Sequence, residues 1–150
     1  MTLPSQPVEA FLLKVSQLKP DWEYKPSPSK WSNKEVIGHL IDSAQTNLNR
    51  FVRCTYEENF KLVYYQDEYV AAQRYQSADI NELLTLWMLL NAQITRVLAD
   101  YPTDRRNVTC DTGKDSVSFH TVEWLATDYL AHMQHHLDHI IQTCLKTEMN

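Results

Sequence analysis

Apolar residues recur with helical spacing in four long stretches, and this periodicity constrains the fold more than any other feature of the sequence. The stretches cover about residues 8–18, 33–56, 79–101 and 119–145 of the 150 residues. Within each stretch the apolar side chains follow at steps of three or four, which places them on one face of an α-helix. Four such faces must be buried against one another. The sequence therefore predicts an all-α, antiparallel four-helix bundle.

Capping residues mark the predicted helix starts. Ser32 followed by Glu35 forms a capping box before the second helix. Asp79 followed by Glu82 is a weaker version before the third helix, and Ser118 is the predicted cap of the last one.

A long connection separates helices 2 and 3. It is rich in tyrosine and acidic residues over 57–77, and a short helix is expected near 67–75. The tyrosines could line a pocket or pack as a loop, and the sequence leaves both open. Strand signals are weak: only 107–110 and 116–119 are candidates for a brief pairing.

Composition excludes several classes of protein. A length of 150 residues predicts one domain, residues 1–150. The two glycines, Gly38 and Gly113, are too few for a phosphate loop or a dinucleotide-binding turn. A net charge of -5 without a basic run predicts no nucleic-acid partner. No apolar run approaches the ~20 residues of a membrane span, so no membrane association is expected. Three scattered cysteines and an N-terminus unlike a signal peptide predict a cytoplasmic protein.

Histidines are concentrated in the last helix, which carries four of the six. His132 and His136 lie one helical turn apart, as do His135 and His139. The first pair is expected to face the bundle interior, because it shares a face with Leu125, Tyr129 and Ile140. His120, near the predicted helix start, is expected to be an ordinary surface residue.

Two imidazoles one turn apart can hold a single cation, and a third ligand would raise the affinity. His39 is the candidate, since it lies in an apolar part of the second helix beside Gly38, which would allow close helix approach. Three neutral imidazoles suit Zn²⁺, Ni²⁺, Cu²⁺ or Fe²⁺. Coordination positions left open by three protein ligands are typical of catalytic sites. The alternative is a solvated histidine face without a metal.

Three segments resemble, in the expected order, the motifs of the DinB/YfiT-like superfamily. They are KWSNKEVIGHLIDSAQTNLNRF, YQDEYVAAQRY and HMQHHLDHII, and the resemblance extends over about residues 31–141. It implies a four-helix bundle, often homodimeric, with a divalent metal held by His39, His132 and His136. The expected ion is Zn or Ni first, with Fe, Mn or Cu as alternatives. His135 and His139 depart from the family pattern and leave further ligands open.

The resemblance also implies an activity on a small-molecule substrate. Characterised members include thiol S-transferases that use low-molecular-weight thiols and thiol-dependent isomerases, and many others are described as metal-dependent hydrolases without a known substrate. The first hypothesis is therefore a metal-dependent enzyme that activates a thiol or water. The alternatives are a non-catalytic metal-binding or stress-associated bundle, and an interaction protein with an empty site.

Two charged residues of the second helix have candidate supporting roles. Asp42 could orient an imidazole, since metal-bound histidines usually donate their second N–H to a carboxylate or carbonyl. It could equally be a surface acid. Arg50 could bind a substrate carboxylate or pair with a local acid.

Overall fold

Four long helices form the bundle in the computed structural model, which describes residues 1–149. They are α1 (Ser5–Leu18), α2 (Asn33–Arg53), α4 (Ile80–Ala99) and α5 (Val122–Met149). A short helix, α3 (Gln66–Gln73), lies in the long connection between α2 and α4. The predicted all-α bundle with this connection is confirmed. Over residues 1–149, no helix combines the length and apolar character needed to cross a membrane.

The helices run two in each direction. At their N-terminal ends, α2 and α4 are linked through a hydrogen bond between the Ser32 and Gln76 side chains. At their C-terminal ends, Tyr101 Oη donates to the Phe51 carbonyl at 2.7 Å, so α2 and α4 are parallel. The connection through α3 makes this possible by returning the chain to the start of α2. Both α1 and α5 run the opposite way, since Leu18 and Thr143 near their C-terminal ends line one pocket with Asn33 at the start of α2. α1 packs against α4, and α5 packs against α2.

A two-stranded hairpin precedes α5. Its strands, β1 (Thr109–Asp111) and β2 (Phe119–Thr121), pair antiparallel with Cys110 opposite His120. The predicted helix start near residue 119, with Ser118 as cap, is therefore wrong. The chain is still extended there, and Thr121 Oγ1 accepts from the Trp124 backbone N–H at 3.1 Å. In α2, by contrast, the capping box of Ser32 and Glu35 is confirmed with both of its hydrogen bonds.

The core lies where the inward faces of the four long helices meet. Trp87 of α4 is fully buried and meets Phe11 of α1 edge-on, with ring centroids 5.6 Å apart. The core also contains a polar pair, in which Tyr129 Oη donates to Asn91 Oδ1 at 2.6 Å. Because these groups satisfy each other, the polar atoms cost little on burial. These contacts join α4 to both α1 and α5.

Gly38 of α2 lies under the ring of Tyr75, from the turn after α3, so the close approach here involves the connection rather than a facing helix. A Cβ at this position would lie 2.1 Å from Tyr75 Cδ2 and 2.3 Å from Cγ. We expect Gly38→Ala to lower the free energy of unfolding by about 1–3 kcal/mol through overpacking. Urea unfolding measures the change, with Gln45→Ala at an exposed α2 position as control. A stabilised Gly38→Ala protein, as helix propensity alone would give, would contradict this expectation.

Candidate metal centre

Three imidazoles converge between α2 and α5. His39 projects from α2, and His132 and His136 project from successive turns of α5. The ring centroids lie 4.9 Å apart for His39 and His132, 5.0 Å for His39 and His136, and 4.7 Å for His132 and His136. The structure thus brings together the three histidines that the sequence analysis selected.

The spacing of the ring nitrogens suits a shared ion. His39 Nε2 and His132 Nε2 are 3.0 Å apart. One nitrogen from each of the three residues lies within 4.8 Å of the other two. Two nitrogens bound to one tetrahedral Zn²⁺ at about 2.0–2.1 Å lie about 3.4 Å from each other. The donor set and its spacing therefore fit a divalent ion.

Tyr64, in the long connection, determines which nitrogen of His39 is available. Its hydroxyl lies 2.9 Å from His39 Nδ1 and donates to the His39 carbonyl at 3.3 Å. When this hydroxyl donates to the carbonyl it accepts from the ring, an arrangement that matches the tautomer protonated at Nδ1. The lone pair of His39 is then on Nε2, which faces His132. Trp31 covers the same ring, with centroids 4.8 Å apart.

The environment keeps the cluster uncharged. Burial, followed by the proximity of His132 and His136, lowers the pKa of His39 to about 3. Burial and the neighbouring histidines lower the pKa of His136 to about 4. The pKa of His132 is lowered as well, mainly by burial, although Asp128 opposes the shift. All three imidazoles are neutral near pH 7, which is the form that binds a metal.

Acid should destabilise the metal-free protein through His39. Below its ordinary pKa of 6.5, this residue is protonated in the unfolded chain but stays neutral in the folded protein down to about pH 3. The unfolded state then binds more protons, so the free energy of unfolding falls as the pH falls. We expect His39 to account for a loss of roughly 2 kcal/mol between about pH 6.5 and about pH 5.

Urea unfolding of chelator-treated protein at these two pH values measures the loss. His39→Leu is the control, because it fills the buried position with an apolar side chain that has no titrating group. An equally large loss in this variant would show that other residues cause the acid sensitivity.

The other histidines lie outside the cluster. His135 and His139 are exposed, and the His135 ring lies beside that of His136, with centroids 5.5 Å apart. His120 is half-buried rather than an ordinary surface residue. Its ring stacks on Trp124 with centroids 3.7 Å apart, and its Nε2 lies 3.0 Å from Ser118 Oγ.

Asp42 is fully buried, so its interpretation as a surface acid is wrong. Its carboxylate accepts from Tyr75 Oη at 2.6 Å and from Gln73 Nε2 at 2.5 Å. Burial raises the pKa of Asp42, and these two hydrogen bonds oppose the rise. Asp42 thus fixes the chain after α3 against α2, and the residue that contacts the His39 ring nitrogen is Tyr64.

Arg50 is also buried, with 7% of its surface exposed. Its Nη2 donates to the Leu62 carbonyl at 2.6 Å and its Nη1 to Asn47 Oδ1 at 3.4 Å. Nε is buried and has no partner among the described residues. The sequence analysis named Arg50 but not Asn47. The signal that could have identified Asn47 is that it is a polar residue on the apolar face of α2.

A cavity of about 210 Å³ adjoins the histidine cluster. It lies between α2 and α5 and reaches from His39 and His132 to Arg50. Tyr64 and Gln66 of the connection also line it, together with Thr112 after β1 and Trp124 in the first turn of α5. The tyrosine-rich connection therefore contributes to a pocket wall, one of the two interpretations that the sequence left open.

Comparisons with known proteins agree with this architecture. YfiT from Bacillus subtilis, described as a probable metal-dependent hydrolase with an unusual four-helix bundle topology, has a similar structure, with a TM-score of 0.82 and 21% sequence identity. The similarity covers 96% of this chain and 85% of YfiT. A search of curated proteins finds no match. The family model of the DinB superfamily matches residues 12–140. The chain therefore belongs to the DinB superfamily.

Proposed function

We propose that His39, His132 and His136 hold one divalent metal ion. The observation that carries this proposal is the convergence of three neutral imidazoles from two helices within ligand spacing of one another. Imidazole nitrogens suit Zn²⁺, Ni²⁺, Cu²⁺ and Fe²⁺, and the family resemblance favours Zn or Ni, with Fe, Mn or Cu as alternatives. The contact of Tyr64 with His39 Nδ1 supports the same assignment, since the tautomer protonated at Nδ1 leaves Nε2 free to bind.

We further propose that the site is catalytic and acts on a small molecule. A divalent ion held by three imidazoles would retain open positions and lower the pKa of a water or thiol placed there, which supplies a nucleophile near neutral pH. The adjoining cavity offers space for a substrate beside His39 and His132. The description of YfiT as a probable metal-dependent hydrolase favours water as the nucleophile. A low-molecular-weight thiol as co-substrate is the alternative.

The roles of the protein groups follow from their contacts. Tyr64 orients the His39 ring and holds its proton on Nδ1. Trp31 packs against the same ring, with centroids 4.8 Å apart. Both residues favour a single orientation of His39, which a metal ligand requires.

Elemental analysis and two assays test the proposal. Protein purified without an affinity tag should contain about one equivalent of Zn or Ni. It should hydrolyse an activated ester such as 4-nitrophenyl acetate, or else couple a low-molecular-weight thiol to a chlorinated dinitrobenzene. Chelation should abolish the activity and re-addition of the metal should restore it. Bound metal without either turnover would favour a non-catalytic metal-binding bundle, and absence of metal would contradict the site itself.

Tyr64→Phe should weaken metal binding without removing it. The change deletes the hydroxyl that fixes the Nδ1 proton, and loss of such an outer contact typically costs about 10–100-fold in metal affinity. Competition with a chromogenic chelator measures the affinity. Tyr65→Phe is the matched control, because Tyr65 is exposed and adjacent in sequence. Equal affinities for the two variants would contradict the role of Tyr64.

A cytoplasmic location and a homodimeric assembly stay predictions from the sequence and from the family resemblance.

A further inference from the structure

The cavity beside the histidines is elongated along α2. His39, Ser43, Asn47 and Arg50 follow at steps of four, four and three residues, so they lie on one face of the helix and all line the cavity. Asp128 and His132 of α5 face them from the opposite wall. The cavity thus has the histidine cluster at one end, Arg50 at the other and neutral polar side chains between them.

Arg50 is a buried cation without an anion. Its two hydrogen bonds go to neutral oxygens, those of Leu62 and Asn47. Its Nε has no partner in the described part of the chain, and no described carboxylate lies within ion-pair distance. Burying a charge is costly unless it is paired. The arrangement therefore favours an anion that arrives with a ligand.

A carboxylate is the anion that fits this end of the cavity. The planar guanidinium matches the geometry of a carboxylate and binds it through charge-assisted hydrogen bonds. Asp128 lines the cavity and lies near enough to act electrostatically on Arg50. Its negative charge disfavours a dianion such as phosphate more than it disfavours a monoanion.

The dimensions restrict the ligand further. The eleven residue-to-residue steps of helix from His39 to Arg50 span about 16 Å. Helical side chains tilt toward the N-terminus, and Arg50 does so here, since its Nη1 reaches Asn47 in the preceding turn. The carboxylate would be held well apart from the histidines, in a cavity of about 210 Å³. Such a space suits a small, extended molecule.

We propose that the cavity binds a small carboxylic acid whose carboxylate pairs with Arg50 and whose opposite end lies at His39 and His132. The placement of the ligand's opposite end at the histidines rests on the proposed function, but the pairing of its carboxylate with Arg50 needs no metal. Failure of the metal site would therefore leave the carboxylate contact standing, and the two can be tested separately.

Fluorine NMR titration with 4-fluorobenzoate and its uncharged analogue 4-fluorobenzamide tests the proposal, on the protein as purified and again after chelation. The benzoate should bind about tenfold or more tightly than the benzamide, since a hydrogen-bonded charge contributes about 1.5–3 kcal/mol. Arg50→Met should remove this preference. Arg53→Met should keep it, because Arg53 lies on the same helix but pairs with Glu57 outside the cavity.

Asp128→Asn provides a second variant that leaves the Arg50 contacts intact. Asp128 is exposed, so the change should not disturb folding, and it should tighten benzoate binding about threefold by removing a negative charge. Benzoate binding that survives chelation and follows these variants supports the proposal. Equal binding of the two probes, no binding of benzoate, or benzoate binding that is lost on chelation but unchanged in Arg50→Met would overturn it.

Discussion

Replacement of His136 by alanine is expected to reduce metal affinity more than about 100-fold, so that the purified protein contains less than stoichiometric metal. Loss of an outer-shell contact alone typically costs 10–100-fold, and this change removes a proposed ligand. The remaining histidines, His39 and His132, would have to hold the ion as a pair. Elemental analysis of tag-free protein measures the loss, and circular dichroism should show helicity close to that of the unmodified protein.

The same helix supplies matched controls. His135 and His139 are both exposed. His135 is next to the proposed ligand His136 in the sequence, and His139 lies about one turn further along. His135→Ala and His139→Ala each remove one of these imidazoles. Both variants should retain stoichiometric metal. If His135→Ala or His139→Ala lost as much metal as His136→Ala, the inward pair would be wrongly assigned.

Replacement of Trp87 by alanine is expected to lower the free energy of unfolding by about 3–5 kcal/mol. Trp87 is fully buried, and its edge-on contact with Phe11 joins α4 to α1. Since its Nε1 has no hydrogen-bond partner among the described residues, the cost comes from packing and from the cavity left behind. At about 2–4 °C per kcal/mol for a chain of this size, the Tm should fall by about 10 °C.

Leu89→Ala is the control on the same helix, because Leu89 is 54% exposed. This substitution should change stability by no more than about 0.5 kcal/mol. Trp87 lies outside the histidine cluster, so the folded fraction of Trp87→Ala should bind metal as the unmodified protein does. Metal loss in this variant under conditions where it remains folded would show that the core and the site are coupled.

Apolar periodicity and capping residues allow most of the fold to be predicted from the sequence. The capping box at Ser32 and Glu35 marked the start of α2 because its two hydrogen bonds are local. The inward face of α5 could be identified from Leu125, Tyr129 and Ile140, since a regular helix converts spacing into direction. The same regularity selected His132 and His136 over their neighbours.

Contacts between segments that are distant in sequence cannot be predicted from periodicity and capping. Tyr64 meets His39 across 25 residues of sequence, and the path of the connection that brings them together has no local signal. Asp42 looked like a helix surface acid, because its partners Tyr75 and Gln73 come from the same connection. The start of α5 was misjudged for a related reason, since pairing with β1 keeps residues 119–121 extended.

His39 and His132 are separated by 93 positions in the chain, yet their ring nitrogens are 3.0 Å apart. Closing a loop of that length carries an entropic cost that must be met before the contact exists. An ion shared by the two helices would bind only after α5 has docked, so it cannot template the early steps of folding. It would instead raise stability by mass action on the finished structure, and metal occupancy would then report complete assembly.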